Sequence, residues 1–562
     1  MNGFDLLQIV VTLGVLVLAA PFLGRWMFRV MERPQATNVF FQRTEALFYR
    51  LVGVDEKEEM DWKRYSLALL LFNLVGFVAV FLLQVFQAKL PLNVQNLSDV
   101  SWHSAFNTAV SFMTNTNWQG YSGESTLSYL SQMLGLTVQN FVSAATGLGV
   151  VLAMCRGFTR NSSRTLGNFW KDLVRGTVYV LLPLSFILAL ILISQGVVQN
   201  FSSYTNAAGL DGVAQVIPQG PAASQISIKQ LGTNGGGFFG VNSAHPFENP
   251  TPISNWFQMI AILLLPAGLV FTFGEYAKSR KQAWSIFAAM GIMLVLGLSA
   301  SLASEYSVNP ALGSSVMMEG KETRFGVTNS VMWSVFTSAA SNGSVNSMHS
   351  SLSPLSGAVA MFNMMLGEVI FGGVGAGLYG MFLFVLLTVF LSGLMVGRTP
   401  EYLGKKIESA EIKMVILGII LPSAAALIGA GVSSVLPIGL SSLANKGPHG
   451  LSEILYAFAS AAGNNGSAFA GLNANTVYYN VVLGIVMLIG RLGVILPCLA
   501  IAGSMALKKS SPMGPGTFAT DSSLFVILLI GIIIIVGGLT FLPALSLGPI
   551  VEHFLMLSGR TF

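Results

Sequence analysis

SQISIKQLGTNGGGFF, residues 224–239, opens with about ten weakly apolar residues and ends in Thr233, Asn234 and three consecutive glycines. Ten residues at a rise of about 1.5 Å cannot cross a hydrocarbon core about 30 Å thick. The stretch therefore reads as a half-helix that dips into a membrane and turns back. Long apolar runs flank it near 177–196 and 254–274. The same arrangement recurs in SAFNTAVSFMTNTNWQ (104–119), SVMWSVFTSAASNGSV (330–345) and LSEILYAFASAAGNNGSAF (451–469). Aligning Asn115, Thr233, Asn342 and Asn464 separates the four by 118, 109 and 122 residues. Similar units at nearly equal spacing mark an internal repeat: span, half-helix, polar turn, span.

The composition agrees. Of 562 residues, 53% are hydrophobic and 9% charged, against about 25% charged in a soluble domain. Mean hydropathy is +0.68. A soluble enzyme, a disordered chain and a nucleic-acid-binding domain are excluded, and the partner is a lipid bilayer. Apolar runs near 6–24, 66–88, 130–154, 177–196, 254–274, 283–303, 357–396, 413–436, 477–503 and 523–547 predict ten spans. The first run lacks preceding basic residues and is followed by Arg25 and Arg29, the reverse of a secretory signal. It reads as an uncleaved span with its N-terminus outside. With that start, 22 of the 29 basic residues fall in inner loops, 6 in outer ones, and Arg491 within a span, as the positive-inside rule requires.

The run 357–396 is too long for one straight helix, yet two crossings would move Arg398, Lys405 and Lys406 outside. It contains Glu368 followed by Gly372, Gly373, Gly375 and Gly377, and glycine weakens helix by about 1 kcal/mol relative to alanine. One traverse with a partly unwound middle is expected, and irregular backbone at that depth needs protein or water beside it. The predicted fold is an all-α polytopic membrane protein with ten transmembrane helices. Four pseudo-symmetric repeats surround one pore, and both termini lie outside. The segments are 1–65 (first helix and inner loop), 66–175, 176–282, 283–411 and 412–510 (the four repeats) and 511–562 (last helix).

A half-helix entering from outside leaves its partially negative C-terminus near mid-membrane. The turns that follow hold Asn, Thr, Ser and Gly, with no acid or base. Glycine tolerates positive φ, so consecutive carbonyls can point at one axis. Gly235, Gly236, Gly237, Gly343 and Gly466 supply that freedom. Four such turns would replace the hydration shell of a monovalent cation. Without carboxylates the site suits a large, weakly hydrated ion rather than Ca²⁺ or Mg²⁺, and potassium is the natural candidate. Taken singly, Asn-Gly and Gly-Gly are ordinary turn dipeptides; four in register behind half-helices argue for a filter.

TNTNWQ (114–119), LGTNGGGFF (231–239), HPFENP (245–250), FGGVGAGLYG (371–380), GRTPEYLGKKI (397–407) and NNGSAFAG (464–471) resemble the potassium-binding subunits, the KdpA family, of bacterial Kdp potassium-transporting ATPases. The resemblance runs over essentially the whole chain. It implies a channel-like member of the superfamily of potassium transporters in the bacterial inner membrane, with K⁺ as the transported ion and no organic cofactor. It implies as partners a P-type ATPase catalytic subunit and two small membrane subunits. It places the ion near the first polar residues of the turns: Thr114, Asn115 and Thr116; Thr233, Asn234 and Gly235; Ser341, Asn342 and Gly343; Asn464, Asn465 and Gly466. In the third turn, SNGS, Asn342 stands where a small residue is expected.

Further pore or gate candidates are Gln119, Glu368, Gly373, Gly375, Arg398 and Arg491. Gln119 follows the first turn and either lines the vestibule or satisfies a neighbouring backbone group. Glu368, an acid inside a span, either attracts cations below the filter or pairs with Arg491. Arg398 ends the broken traverse, as part of a gate or as an interfacial anchor. His103, His245, His349 and His449 show no metal-ligand spacing, and Cys155 and Cys498 lie in apolar runs. No G-x-x-x-x-G-K-[ST] phosphate loop and no Asp-Lys-Thr-Gly-Thr phosphorylation signature occurs. No catalytic site is visible, so if transport is ATP-driven another chain hydrolyses the ATP. The rival reading is an autonomous potassium channel or cation symporter, which would share the filter; a polytopic membrane enzyme lacks candidate residues.

Overall fold

The computed structural model describes residues 1–32, 39–55, 57–313, 317–395, 397–511 and 518–560; Arg33, counted among the inner basic residues, lies outside that set. Ten helices are long and apolar enough to cross a membrane: Gly3–Glu32, Trp62–Val85, Ser131–Thr159, Phe169–Ser194, Pro252–Tyr276, Arg280–Glu305, Ala376–Met395, Ser409–Ser433, Val477–Leu507 and Ser523–Leu557. Each overlaps the run expected from hydropathy. Side-chain caps set several starts: Asp61 accepts from Arg64 N–H, and Thr251 forms a reciprocal capping box with Ser254. The tenth helix continues past residue 547 through a kink at Gly548.

The seventh traverse is broken as expected. Pro354–Met365 and Ala376–Met395 are helical, and 366–375 is not. Gly367, Glu368, Phe371 and Gly375 all take positive φ there. Glu368 and Phe371 carry side chains in that conformation, which costs roughly 1–2 kcal/mol each and must be held by surrounding structure.

Four short helices stand between pairs of spans: Trp102–Met113, Ala222–Leu231, Gly326–Ala339 and Gly447–Gly463. The fourth, at 17 residues, is longer than the ten expected. The third and fifth spans form the centre, with 89% and 83% of their most apolar windows buried. The first and eighth spans, at 22%, form the periphery, and exposed Phe4, Leu18, Ile420 and Ile428 mark a lipid-facing surface.

Helices approach closely at glycines. A Cβ on Gly24 of the first span would stand 2.4 Å from the Gly268 carbonyl oxygen of the fifth, and Thr272 donates to the Gly24 carbonyl at 3.0 Å. At the end predicted to face inward, Arg156 pairs with Asp172 at 2.6 Å and with Glu32 at 2.8 Å. Tyr65 also donates to Asp172 (2.9 Å), and Tyr276 to Glu32. This network ties the first five spans together. Beside it, Glu45 of helix Val39–Val52 pairs with Arg175 at 2.7 Å. Burial raises the Glu45 carboxyl, but hydrogen bonds from Tyr179, Tyr49 and Arg175 outweigh it and hold the group below its ordinary range.

Candidate functional site

The turn after each short helix enters the left-handed region twice. Asn115 and Asn117 have φ of 66° and 55°, Thr233 and Gly235 49° and 86°, Ser341 and Gly343 53° and 80°, Asn464 and Gly466 60° and 104°. The same i, i+2 pattern thus appears four times. It puts Ser341 in register with Asn115, Thr233 and Asn464. The alignment on Asn342 was one residue off, because it matched side-chain type where the backbone sets the register. Ser341 is the small residue expected there.

The four turns touch in a closed ring. Asn115 Nδ2 donates to the Thr233 carbonyl at 3.0 Å, joining first to second. A Cβ on Gly235 would stand 1.5 Å from the Asn342 carbonyl oxygen, so second meets third with no room for a side chain. The Ser341 hydroxyl donates to the Asn464 carbonyl at 2.9 Å, joining third to fourth. Asn464 Nδ2 donates to Thr116 Oγ1 at 3.0 Å, closing fourth on first. Thr114 Oγ1 lies 2.7 Å from Thr116 Oγ1. Asn342 and Asn465 aim their amides at the carbonyls of Lys229 (3.1 Å) and Thr337 (2.8 Å), whereas Asn234 Nδ2 donates both to Asn115 Oδ1 of the first turn (2.5 Å) and to the Asn140 carbonyl (3.2 Å).

Two cavities adjoin the ring, the first at all four turns and the second at the fourth turn alone. On one side lies a vestibule of about 790 Å³ that Asn117, Gly235, Gly343 and Gly466, one residue from each turn, help to line. Gln119 lines it too, and both donates to the Gly237 carbonyl (3.1 Å) and accepts from its N–H (2.8 Å). His349 is on the wall with Nδ1 2.8 Å from the Tyr456 hydroxyl. Burial, and then the charge of Lys321, push its imidazole down to about 3, so the mouth carries no imidazolium.

On the other side the broken traverse packs against the ring. Val374 N–H donates to Thr233 Oγ1 at 2.7 Å, and a Cβ on Gly373 would stand 3.3 Å from Ser341 Cβ. Gly375 is pressed on the third span, where a Cβ would meet the Gly147 oxygen at 2.0 Å. Glu368 and Arg491 line one cavity of about 80 Å³, together with Gly463 and Asn464. Glu368 accepts from Asn465 Nδ2 at 2.6 Å. Arg398 is exposed beyond the end of Ala376–Met395, a whole helix away from the ring. Sequence reasoning missed the supports behind the ring. Ser143 donates to Asn115 Oδ1 at 2.7 Å, and Lys229, Asn242 and Glu248 surround the second turn. A lysine inside a short apolar helix was the available signal for the second group.

A family model described as KdpA, potassium-transporting ATPase A subunit, matches residues 10–554. The chain is 56% identical over 563 residues to the potassium-transporting ATPase potassium-binding subunit of Pseudomonas fluorescens, covering 99% of this chain and 100% of that one. The chain belongs to the KdpA family. A Leptospira interrogans KdpA relative of the same description is 57% identical over 558 residues, covering 99% of each. Among solved structures, the potassium transporter TrkH from Vibrio parahaemolyticus matches with a TM-score of 0.52 at 12% identity, covering 88% of this chain and 98% of that one. That likeness extends the fold of this KdpA-family chain to a second group of membrane proteins.

Proposed function

We propose that the chain is the potassium-binding, channel-like subunit of an ATP-driven uptake complex in the bacterial inner membrane. K⁺ enters the vestibule from outside, is held by carbonyl and hydroxyl oxygens of the four turns, and leaves past the broken traverse. The observation that carries this reading is the closed ring: four helix C-termini deliver partial negative charge to one place, and alternating φ signs let carbonyls converge without any carboxylate. Dehydration of the ion is offset by a fixed number of oxygen ligands, and a neutral site of moderate field strength favours a large monovalent cation. The four repeats share the work about one axis, with the termini and the vestibule on the outer side.

Family membership supports the partners: a P-type ATPase subunit that hydrolyses ATP, and two small membrane subunits. Glu368 and Arg491 below the ring, with Gly373 and Gly375 in the break, form the inner passage and its gate. Arg398 anchors the end of that traverse at the interface. The test is to purify the chain with and without its partners. The chain alone is expected to bind potassium without ATPase activity above an empty-preparation control; hydrolysis that follows this chain through purification would defeat the reading.

A further inference from the structure

Lys229 is fully buried in the second short helix, and ion binding as described gives its charge no task. Its ammonium pairs with Glu248, equally buried, and donates to Asn242 Oδ1 at 2.7 Å. Asn242 passes the contact on: its Nδ2 donates to the Gly235 carbonyl at 2.7 Å. The second Glu248 oxygen accepts from the N–H groups of Phe238 (2.6 Å) and Phe239 (2.9 Å). The Lys229 carbonyl accepts from the N–H groups of Asn234 (2.8 Å) and Gly235 (3.1 Å). It also takes the Asn342 side chain of the third turn, at 3.1 Å. The backbone at 234, 235, 238 and 239 is thus tied to one lysine–glutamate pair.

Burying an ion pair carries a desolvation cost that its attraction rarely exceeds, and well-packed apolar replacements are often no less stable. Stability is therefore a poor reason for this pair. A charged, multiply hydrogen-bonded hub does what an apolar contact cannot: it sets directions. A carbonyl oxygen has two lone pairs, so the Gly235 oxygen can be held by Asn242 and still act as an acceptor in the ring. We propose that Lys229 and Glu248, acting through Asn242, position the Gly235 carbonyl and thereby set cation discrimination at the second turn. This rests on the filter reading above. Lys229, Glu248 and Asn242 are positioning residues; none is assigned contact with the ion. Freed from Asn242, the turn relaxes, the ring loses its set spacing, and rubidium competes better with potassium.

The experiment compares Asn242→Asp and Glu248→Gln in the assembled transport complex. Asn242→Asp keeps an acceptor for Lys229 and removes the donor to Gly235, leaving the ion pair in place. The readout is the half-stimulating concentration of rubidium divided by that of potassium in ATP hydrolysis. That ratio does not depend on how much complex folds. It is expected to fall by about three- to tenfold, the loss of one neutral hydrogen bond. A ratio unchanged in Asn242→Asp overturns the proposal, and that variant decides alone if Glu248→Gln yields no complex. Gly235→Asp separates the two levels. If it also leaves the ratio unchanged, the filter reading falls; if it moves the ratio while Asn242→Asp does not, only the brace falls.

Discussion

Alanine at Gly235 is the smallest change that tests the ring. The Gly235 φ of +86° disfavours any side chain, at roughly 1 kcal/mol. Sterics are the larger effect. The added Cβ would sit 1.5 Å from the Asn342 oxygen and 2.5 Å from Ser344 N, where real contacts stay above 3.0 Å. Both atoms are backbone, so the second and third turns must separate by at least the missing 1.5 Å. An ion ligand displaced that far is lost, and a contact between a charge and a neutral dipole contributes roughly 1.5–3 kcal/mol. The half-stimulating potassium concentration should rise about 10- to 150-fold. Sodium and rubidium should lose less, because a loosened ring no longer favours one radius. The assay is ATPase stimulation by each cation in the assembled complex, with yield and subunit ratio checked alongside. Wild-type potassium affinity and cation ranking in a well-assembled Gly235→Ala complex would refute the reasoning and remove this turn from the site.

Thr233→Val strands the buried Val374 N–H that now donates to Thr233 Oγ1 at 2.7 Å. It should cost about 1–3 kcal/mol, read as a lower melting temperature, and alter transport rate through the loosened break. Gly373→Ala, whose Cβ would meet Ser341 Cβ at 3.3 Å and Thr233 Oγ1 at 3.4 Å, should assemble and change flux or its coupling to hydrolysis more than potassium binding. Flux and coupling both at wild-type level would reduce Gly373 to packing. Gly375→Ala, 2.0 Å from the Gly147 oxygen, should instead lower the yield of folded chain, measured by size-exclusion recovery. His449 accounts for a pH dependence. Burial lowers its imidazolium, but the hydrogen bond and charge of Glu552, with Glu453 and Glu319, raise it above the ordinary 6.5. Its contribution is present in full below that ordinary value and is lost as pH rises through the raised one. Melting temperature should therefore drop as pH rises above the ordinary 6.5 and through the raised value, and His449→Gln should flatten that drop.

Hydropathy made the spans legible because crossing a membrane is a local demand on about 20 consecutive residues. The break in the seventh traverse was legible for a similar reason, since clustered glycine weakens helix wherever it stands. The four turns were visible through their small polar residues, but their register was not. Asn342 attracted the alignment by its name, whereas Ser341 holds the matching φ of 53°. Backbone dihedrals are not written in residue identity when Ser, Thr and Asn all occupy the left-handed position.

What local sequence determined here is every element that answers to its own composition: ten apolar helices, four short ones and a glycine-rich interruption. Tertiary structure alone decided which atoms meet. It turned Asn342 and Asn465 outward as braces, set Asn234 across Asn115, left Arg398 a helix away from the ring, and put Val374 against Thr233, 141 residues distant. It also joined Lys229 to Glu248 and, through Asn242, to the Gly235 carbonyl. The physical reason is range. A hydrogen bond acts over about 3 Å, and which groups come that close depends on how all the helices pack together, which no window of sequence contains.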